Sequence, residues 1–305
     1  MTDRNIARHL IDFIDLTDLS EPCTEEAVAA LCAKAVGPIG PPAALCLWPQ
    51  FVGQAQRQIG EAIPVATVIN FPQGGDDIER VLEDIDEALG DGADEIDLVF
   101  PYRAFIAGDV DLAADMVAAA KERCEGRLLK VILETSAWPS SESLRRAAIC
   151  ALEAGADFLK TSTGKTTTGA TEEGARLLLE TIRDHGNHAG FKASGGIRTI
   201  AQAQLYHDLF ETICGVPASK GRFRIGASAL FDVLASAAST GTSRWSRRKS
   251  SAASATGIAF TTSRSHNSSP VWLMGKSPKD RPPPLPWRSF SVAWSAVNVS
   301  RLRAQ

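Results

Sequence analysis

The first 240 residues alternate between short apolar runs and amphipathic stretches, with a period of roughly 25 to 35 residues. The apolar runs are rich in Val and Ile, as expected for strands of a parallel sheet covered by helices on its faces. We predict strands at 10–16, 43–48, 64–71, 94–100, 127–134, 156–162, 189–194 and 222–226. The clearest predicted helices, from apolar residues at three and four spacing, are 25–36, 76–89, 110–123, 141–153 and 171–184.

Eight such strands, each followed by a helix, predict that residues 1–240 form a (β/α)8 barrel of the TIM type. Capping residues support the helix starts, at Thr24, Asp76, Ser140 or Ser141, and Thr171. A doubly wound open sheet is the competing architecture. It would carry a glycine-rich turn after its first strand, and residues 15–18 (Asp-Leu-Thr-Asp) contain no glycine.

Residues 241–305 differ from the rest of the chain in composition. They contain eleven Lys and Arg, a single acid (Asp280), 14 serines and four of the six tryptophans, without helical or strand periodicity. Such a composition is not expected to build a packed core. We interpret this tail either as a basic disordered segment or, preferably, as the product of out-of-frame translation, and assign it no fold.

The charge distribution excludes several classes of partner. The net charge is −4, but residues 1–240 hold 21 bases and 35 acids, which argues against nucleic acid or membrane surfaces as partners. No run of 18 apolar residues predicts a membrane span, and the first residues lack the apolar core of a signal peptide. The six cysteines form no CxxC pair, so we expect reduced thiols in a cytoplasmic protein. The histidines form no metal-binding pattern, so we expect no metal.

Two lysines stand inside apolar runs that are predicted to be buried strands. Lys160 lies in residues 156–162 and Lys192 in residues 190–196. An isolated buried ammonium is costly, and the usual relief is a lowered pKa that leaves a neutral, nucleophilic amine. One lysine can then attack a carbonyl while the other supplies the cation that lowers the pKa of the first. This pattern indicates Schiff-base chemistry.

Asp97 is a third polar residue in an otherwise apolar strand, residues 95–100. Strands four, six and seven would bring Asp97, Lys160 and Lys192 to one barrel mouth, where a carboxylate can stabilise a cation and relay protons. A buried structural ion pair is the alternative. Cys46, on the second strand, is a candidate substrate contact, although buried cysteines usually behave as small apolar residues.

Glycines cluster after the last three predicted strands. Because backbone amides freed by glycine bind phosphate well, we predict a phosphate site from Gly164, Lys165, Gly195, Gly196, Gly226 and Ser228. Ordinary loop glycine is the alternative for any one of them. Residues 162–166 also resemble the end of a P-loop, but Leu159 stands where that motif needs glycine.

Several segments together resemble the deoxyribose-phosphate aldolase family. The most specific are residues 158–165 (Phe-Leu-Lys-Thr-Ser-Thr-Gly-Lys), 191–199 (Phe-Lys-Ala-Ser-Gly-Gly-Ile-Arg-Thr) and 95–102 (Glu-Ile-Asp-Leu-Val-Phe-Pro-Tyr). Supporting segments are 15–17, 46–49, 68–72 and 224–228, and the resemblance covers residues 10 to about 235.

This resemblance implies a class I aldolase, a carbon–carbon lyase without cofactor or metal, that reversibly cleaves 2-deoxy-D-ribose 5-phosphate to D-glyceraldehyde 3-phosphate and acetaldehyde. It implies that Lys160 forms the Schiff base, that Lys192 lowers its pKa, and that Asp97 exchanges protons through a water. A phosphorylated sugar is the expected partner, and a homodimer the expected assembly.

The chain departs from the family pattern in two places. Ala229 follows Ser228 where many relatives carry a second serine, and the last tyrosine is Tyr206, whereas relatives often end in one. Two alternative functions therefore remain. One is a class I aldolase for another phosphorylated sugar, and the other is a catalytically impaired barrel that binds sugar phosphates.

Overall fold

A computed structural model describes residues 3–239 of the chain. Eight parallel strands pair in chain order and close into a barrel, since β8 pairs with β1. The strands are β1 Ile14–Asp18, β2 Ala44–Leu47, β3 Val65–Ile69, β4 Glu95–Val99, β5 Leu128–Ile132, β6 Phe158–Lys160, β7 Gly190–Ser194 and β8 Phe223–Ala227. The predicted (β/α)8 barrel is confirmed. The composition-based prediction for residues 241–305 lies outside the described residues.

Ten α-helices occur in the described part of the chain, and most of them cover the outside of the barrel. They are α1 Asp3–Ile11, α2 Glu25–Ala35, α3 Val52–Ile59, α4 Ile78–Gly90, α5 Tyr102–Ala107, α6 Val110–Arg123, α7 Ser141–Glu153, α8 Glu172–Asp184, α9 Ile200–Cys214 and α10 Ala229–Ser239. Both faces of the strands are buried, which explains their near-continuous apolar sequence. None of these helices combines the length and apolar character needed to cross a bilayer.

The predicted first strand, 10–16, was wrong in its first half. Leu10 and Ile11 belong to α1, where they are buried together with Ala7 at helical spacing. This helix packs against α10 and α9, so its apolar residues have a partner surface that the local sequence does not reveal. The strand itself begins only at Ile14.

Helix capping follows the sequence closely, with one exception. The side chains of Thr24, Ser140 and Thr171 accept hydrogen bonds from the first turns of α2, α7 and α8. The predicted cap Asp76 was wrong by one residue, because the carboxylate of Asp77 accepts the bond from the Arg80 backbone amide at 3.0 Å. Clear helix starts therefore anchor the loops at the carboxyl ends of the strands, where barrel active sites lie.

Candidate active site

Asp97 occupies the centre of the barrel interior and contacts three lysines. Its Oδ2 lies 2.8 Å from Lys160 Nζ and 2.7 Å from Lys192 Nζ, and its Oδ1 lies 2.7 Å from Lys130 Nζ. Strand register causes this arrangement, because Asp97 pairs with Lys130 across β4 and β5, and Lys160 with Lys192 across β6 and β7. The structure thus brings together the three residues predicted from sequence and adds Lys130.

A second set of charges lies on the other side of these lysines. Lys192 Nζ is 2.5 Å from Asp15 Oδ2, and Lys130 Nζ is 2.7 Å from Glu95 Oε2. The guanidinium of Arg224 contacts Asp15 at 2.6 Å and Glu95 at 2.8 Å. All of these side chains are almost completely buried. One connected network of ion pairs therefore fills the part of the barrel below the mouth.

The charges of this network balance only if one base is neutral. The ion pairs join three carboxylates, those of Asp15, Glu95 and Asp97, to four basic side chains, those of Lys130, Lys160, Lys192 and Arg224. An uncompensated buried charge is strongly unfavourable. Since four bases face three acids, the network favours loss of one proton, and the base that loses it most easily is the one with the lowest pKa.

Lys160 is that base. Burial lowers the pKa of its ammonium, Asp97 opposes this change, and the nearby Lys192 lowers the pKa further, so that the net direction is downward. Burial acts the same way on Lys192, but Asp15 and Asp97 outweigh it and raise the pKa of Lys192. Asp97 and Glu95 likewise raise the pKa of Lys130 despite its burial. The structure therefore distinguishes Lys160, whose pKa is lowered, from Lys192 and Lys130, whose pKa values are raised.

A cavity of about 380 Å³ opens at the carboxyl ends of the strands, with Lys160 among the residues that line it. The cavity is lined by all six residues predicted to bind phosphate, namely Gly164, Lys165, Gly195, Gly196, Gly226 and Ser228. Asp97 and Lys192 lie deeper and do not line it. A small molecule in this cavity would meet a single buried amine at one end and glycine-rich loops at the other.

The glycine-rich loops adopt backbone conformations that side chains disfavour. Gly164, Gly195 and Gly196 have φ of 77°, 90° and 77°. Gly169 packs so closely on the Gly195 backbone that an added Cβ would lie 2.3 Å from its carbonyl oxygen. Such tight turns leave amide groups free to face an anion. Lys165 adds a positive charge at the rim, where its Nζ contacts Glu21 at 2.8 Å.

Cys46 does not line the cavity, but it lies close enough to Lys160 and Lys192 to interact electrostatically with both. Its side chain is completely buried and packs with Ala66 and Val68 inside the barrel. Burial raises the pKa of its thiol, so the reactive thiolate is disfavoured. This placement agrees with the small apolar role considered from the sequence, and the substrate contact of Cys46 stays a prediction.

Several site residues were missed by sequence reasoning. Lys130 carries the same signal as the other two lysines, a charged residue inside the apolar run 128–132, and could have been found. Glu134 could not have been identified from the sequence, because its hydrogen-bond partners lie on another loop. It adopts φ of 43°, and its carboxylate accepts hydrogen bonds from the Thr163 amide and hydroxyl at 3.2 and 2.5 Å. Glu134 therefore fastens the loop that carries Gly164 and Lys165.

Within residues 3–239, no group of three or more His, Cys, Asp or Glu side chains is arranged to hold a metal ion. The carboxylates of the barrel interior are instead engaged by lysine and arginine. The arrangement can perform amine chemistry on a carbonyl, with a permanent cation and a carboxylate beside the reacting nitrogen.

Comparison with known proteins agrees with this geometry. The family described as DeoC/LacD family aldolase matches residues 9–216 of the chain. The chain belongs to the DeoC/LacD aldolase family. The family comprises aldolases, and its matched region includes β1 to β7 and therefore Asp97, Lys160 and Lys192.

Individual relatives point to one branch of this family. The deoxyribose-phosphate aldolase of Agrobacterium fabrum (strain C58) is 46% identical over 233 residues, which cover 75% of this chain and 90% of that protein. A Toxoplasma gondii ME49 structure, provisionally assigned as a deoxyribose-phosphate aldolase, has a TM-score of 0.72 at 26% identity and covers 78% of this chain and 97% of its own. The deoxyribose phosphate aldolase of Aeropyrum pernix, described as tetrameric, has a TM-score of 0.63 at 29% identity, covering 77% and 93%.

Proposed function

We propose that this chain is a deoxyribose-phosphate aldolase that works through a Schiff base on Lys160. The observation that carries the proposal is the position of Lys160, which lines the cavity and has a lowered pKa, while Lys192 and Lys130 have raised pKa values. A neutral amine at the surface of a cavity is the group that attacks an aldehyde carbon. The 46% identity to the Agrobacterium fabrum enzyme supports 2-deoxy-D-ribose 5-phosphate as the substrate.

The cleavage reaction begins with addition of the Lys160 amine to C1 of the open-chain sugar. Loss of water gives an iminium, which serves as the electron sink. A base removes the proton of the C3 hydroxyl, the C2–C3 bond breaks, and its electron pair forms an enamine as glyceraldehyde 3-phosphate leaves. Protonation of the enamine at C2 and hydrolysis release acetaldehyde and regenerate the amine.

Asp97 and Lys192 assist these steps in different ways. Asp97 contacts the reacting nitrogen directly, and three lysines hold the pKa of its carboxyl well below the ordinary range despite burial, so it stays an anion beside the iminium. We assign it the exchange of protons with the substrate through a water molecule. Lys192 remains an ammonium, whose charge lowers the pKa of Lys160 and whose N–H groups can supply protons.

The other end of the cavity suits the phosphate group. Gly164, Gly195 and Gly196 form its backbone rim, and Ser228 precedes the first turn of α10. Helix N-termini and glycine-rich turns both favour anions. Ala229 provides no hydroxyl here, so we expect weaker phosphate binding than in relatives with a second serine.

Location and assembly form part of the same proposal. All six cysteines are free thiols, which supports a reducing compartment such as the cytoplasm. The Aeropyrum pernix relative is described as a tetramer, which supports a homo-oligomer, and we propose a dimer as the smallest such assembly. Light scattering on the purified chain distinguishes a dimer from a monomer.

Borohydride trapping tests the proposed function. The chain incubated with 2-deoxyribose 5-phosphate and borohydride should gain a stable adduct that peptide mass spectrometry locates on Lys160. Lys160→Ala should lose the adduct, whereas Lys34→Ala, which changes a lysine on the outer surface, should retain it. An adduct on another lysine would overturn the assignment. Adduct formation without release of acetaldehyde would indicate the impaired barrel considered from the sequence.

A further inference from the structure

The hydroxyl group of Ser194 is buried and has no hydrogen-bond partner within residues 3–239. Its backbone is held firmly, because the amide donates to Thr161 Oγ1 at 3.0 Å and the carbonyl accepts from the same hydroxyl at 3.1 Å. Buried hydroxyl groups nearly always have a partner, since leaving one unpaired is unfavourable. Among the unpaired buried hydroxyl groups of residues 3–239, those of Thr135, Ser162 and Ser194, Ser194 alone belongs to a residue that lines the cavity, where a bound molecule can supply the partner.

The neighbouring strand leaves room for this hydroxyl. Gly226 pairs with Ser194 across β7 and β8. A Cβ atom at position 226 would lie 2.4 Å from Ser194 Oγ and 3.2 Å from Lys192 Cε, which is too close for an ordinary contact. Glycine at position 226 thus leaves space for the side chains of Ser194 and Lys192 on β7, in addition to its predicted place near the phosphate.

Ser194 lies between the lysines and the glycine loop. It follows Lys192 by two residues on the same face of β7, about 6.5 Å further toward the carboxyl end of the strand. It immediately precedes Gly195 and lines the same cavity as Lys160. Three other hydroxyl groups of the cavity already have partners, since Thr17 donates to the Asp15 carbonyl, Ser20 to Asp18 and Thr163 to Glu134.

The substrate spans this distance in a defined order. Its C1 binds Lys160, its C3 hydroxyl lies on the side of Asp97 and loses its proton through the water molecule, and its phosphate binds at the glycine loops. The C4 hydroxyl lies between the C3 hydroxyl and the phosphate. It therefore lies level with Ser194 along the barrel axis. We propose that Ser194 Oγ hydrogen-bonds the C4 hydroxyl of the bound sugar and so contributes to selection of the hydroxylated acceptor aldehyde, an inference that rests on the proposed function.

The synthesis direction offers a direct test, because the acceptor can be changed one group at a time. Carbon 2 of D-glyceraldehyde 3-phosphate becomes C4 of the product, and 3-phosphooxypropanal is the same aldehyde without that hydroxyl. With acetaldehyde as the donor, Ser194→Ala should lower kcat/KM for glyceraldehyde 3-phosphate roughly three- to tenfold, as expected for one neutral hydrogen bond. For 3-phosphooxypropanal, kcat/KM should stay within about twofold of the unsubstituted chain.

Two further variants control for packing. Ser194→Cys keeps the shape but weakens the donor, so its selectivity for the hydroxylated acceptor should fall between those of serine and alanine. Ser162→Ala removes another buried hydroxyl that has no partner in residues 3–239 but does not line the cavity. We expect Ser162→Ala to leave the ratio of the two kcat/KM values unchanged.

The outcomes separate this inference from the proposed function. Equal losses with both acceptors, or no loss with glyceraldehyde 3-phosphate, would refute the contact at Ser194 while leaving the aldolase assignment intact. If the unsubstituted chain formed no borohydride adduct with acetaldehyde, both proposals would fail together. Thermal unfolding of each variant confirms that the compared proteins are folded.

Discussion

Replacing Lys192 with methionine removes the cation beside the reacting amine. The nitrogens of Lys192 and Lys160 contact the same oxygen of Asp97 at 2.7 and 2.8 Å, so they lie no more than about 5.5 Å apart. Lys192 is completely buried and keeps its charge because Asp15 and Asp97, against the effect of burial, raise its pKa. The variant should therefore raise the pKa of Lys160, whose amine is nucleophilic only without its proton.

The size of the effect follows from the distance. Two like charges about 5 Å apart at an effective dielectric constant of about 20 repel by about 3 kcal/mol. Loss of this repulsion reduces the neutral fraction of Lys160 by up to about 10²-fold at neutral pH. Because raising the pH restores the neutral form, the rising limb of the pH profile should move to higher pH.

The assay is the rate of adduct formation between acetaldehyde and Lys160, trapped by cyanoborohydride across a range of pH. Lys192→Met should react slowly at neutral pH and approach the unsubstituted chain in alkaline solution. Lys192→Arg retains a cation, so the rising limb of its pH profile should stay near that of the unsubstituted chain. If the rising limb of Lys192→Met lay at the same pH as that of the unsubstituted chain, the proposed effect of the Lys192 charge would be refuted. Burial alone would then account for the lowered pKa of Lys160.

Two other predictions concern Arg224 and Glu134, which hold other residues of the site in place. Arg224→Met leaves Asp15 and Glu95 without their shared guanidinium. The free energy of unfolding, measured with urea, should therefore fall by about 3–5 kcal/mol. A decrease under about 1 kcal/mol would contradict the assigned ion pairs. Glu134→Gln weakens the charged hydrogen bonds to Thr163 and should raise KM for 2-deoxyribose 5-phosphate about fivefold with little change in kcat. Turnover of unphosphorylated 2-deoxyribose should not change, and a parallel loss there would show that Glu134 acts beyond the phosphate loop.

The sequence predicted the barrel well because its strands are apolar on both faces and its helices are clearly capped. Seven of the eight strands lie within the predicted segments or within one residue of them. The first strand failed because Leu10 and Ile11 are apolar for another reason, namely that α1 packs on other helices. A short apolar run carries no information on which surface it will contact, so this error was inherent in local sequence reasoning.

The site was predictable where the signal was a charge in an apolar strand. Lys160, Lys192 and Asp97 were identified this way, and Lys130 could have been. The roles of Glu134 and Ser194 depend on contacts, or on missing contacts, between loops and strands far apart in the chain. Only the closed barrel brings these groups together.

The polar interior of this barrel has a consequence for protein engineering. Barrels of this type are ordinarily filled by layers of branched apolar side chains, whereas here ion pairs occupy much of that space. Exchanging buried ion pairs for well-packed apolar residues often makes a protein more heat-resistant. In this chain the same exchange would remove the groups proposed to carry the chemistry. Efforts to obtain a more durable catalyst should therefore be directed at the outer helices and the loops at the amino ends of the strands.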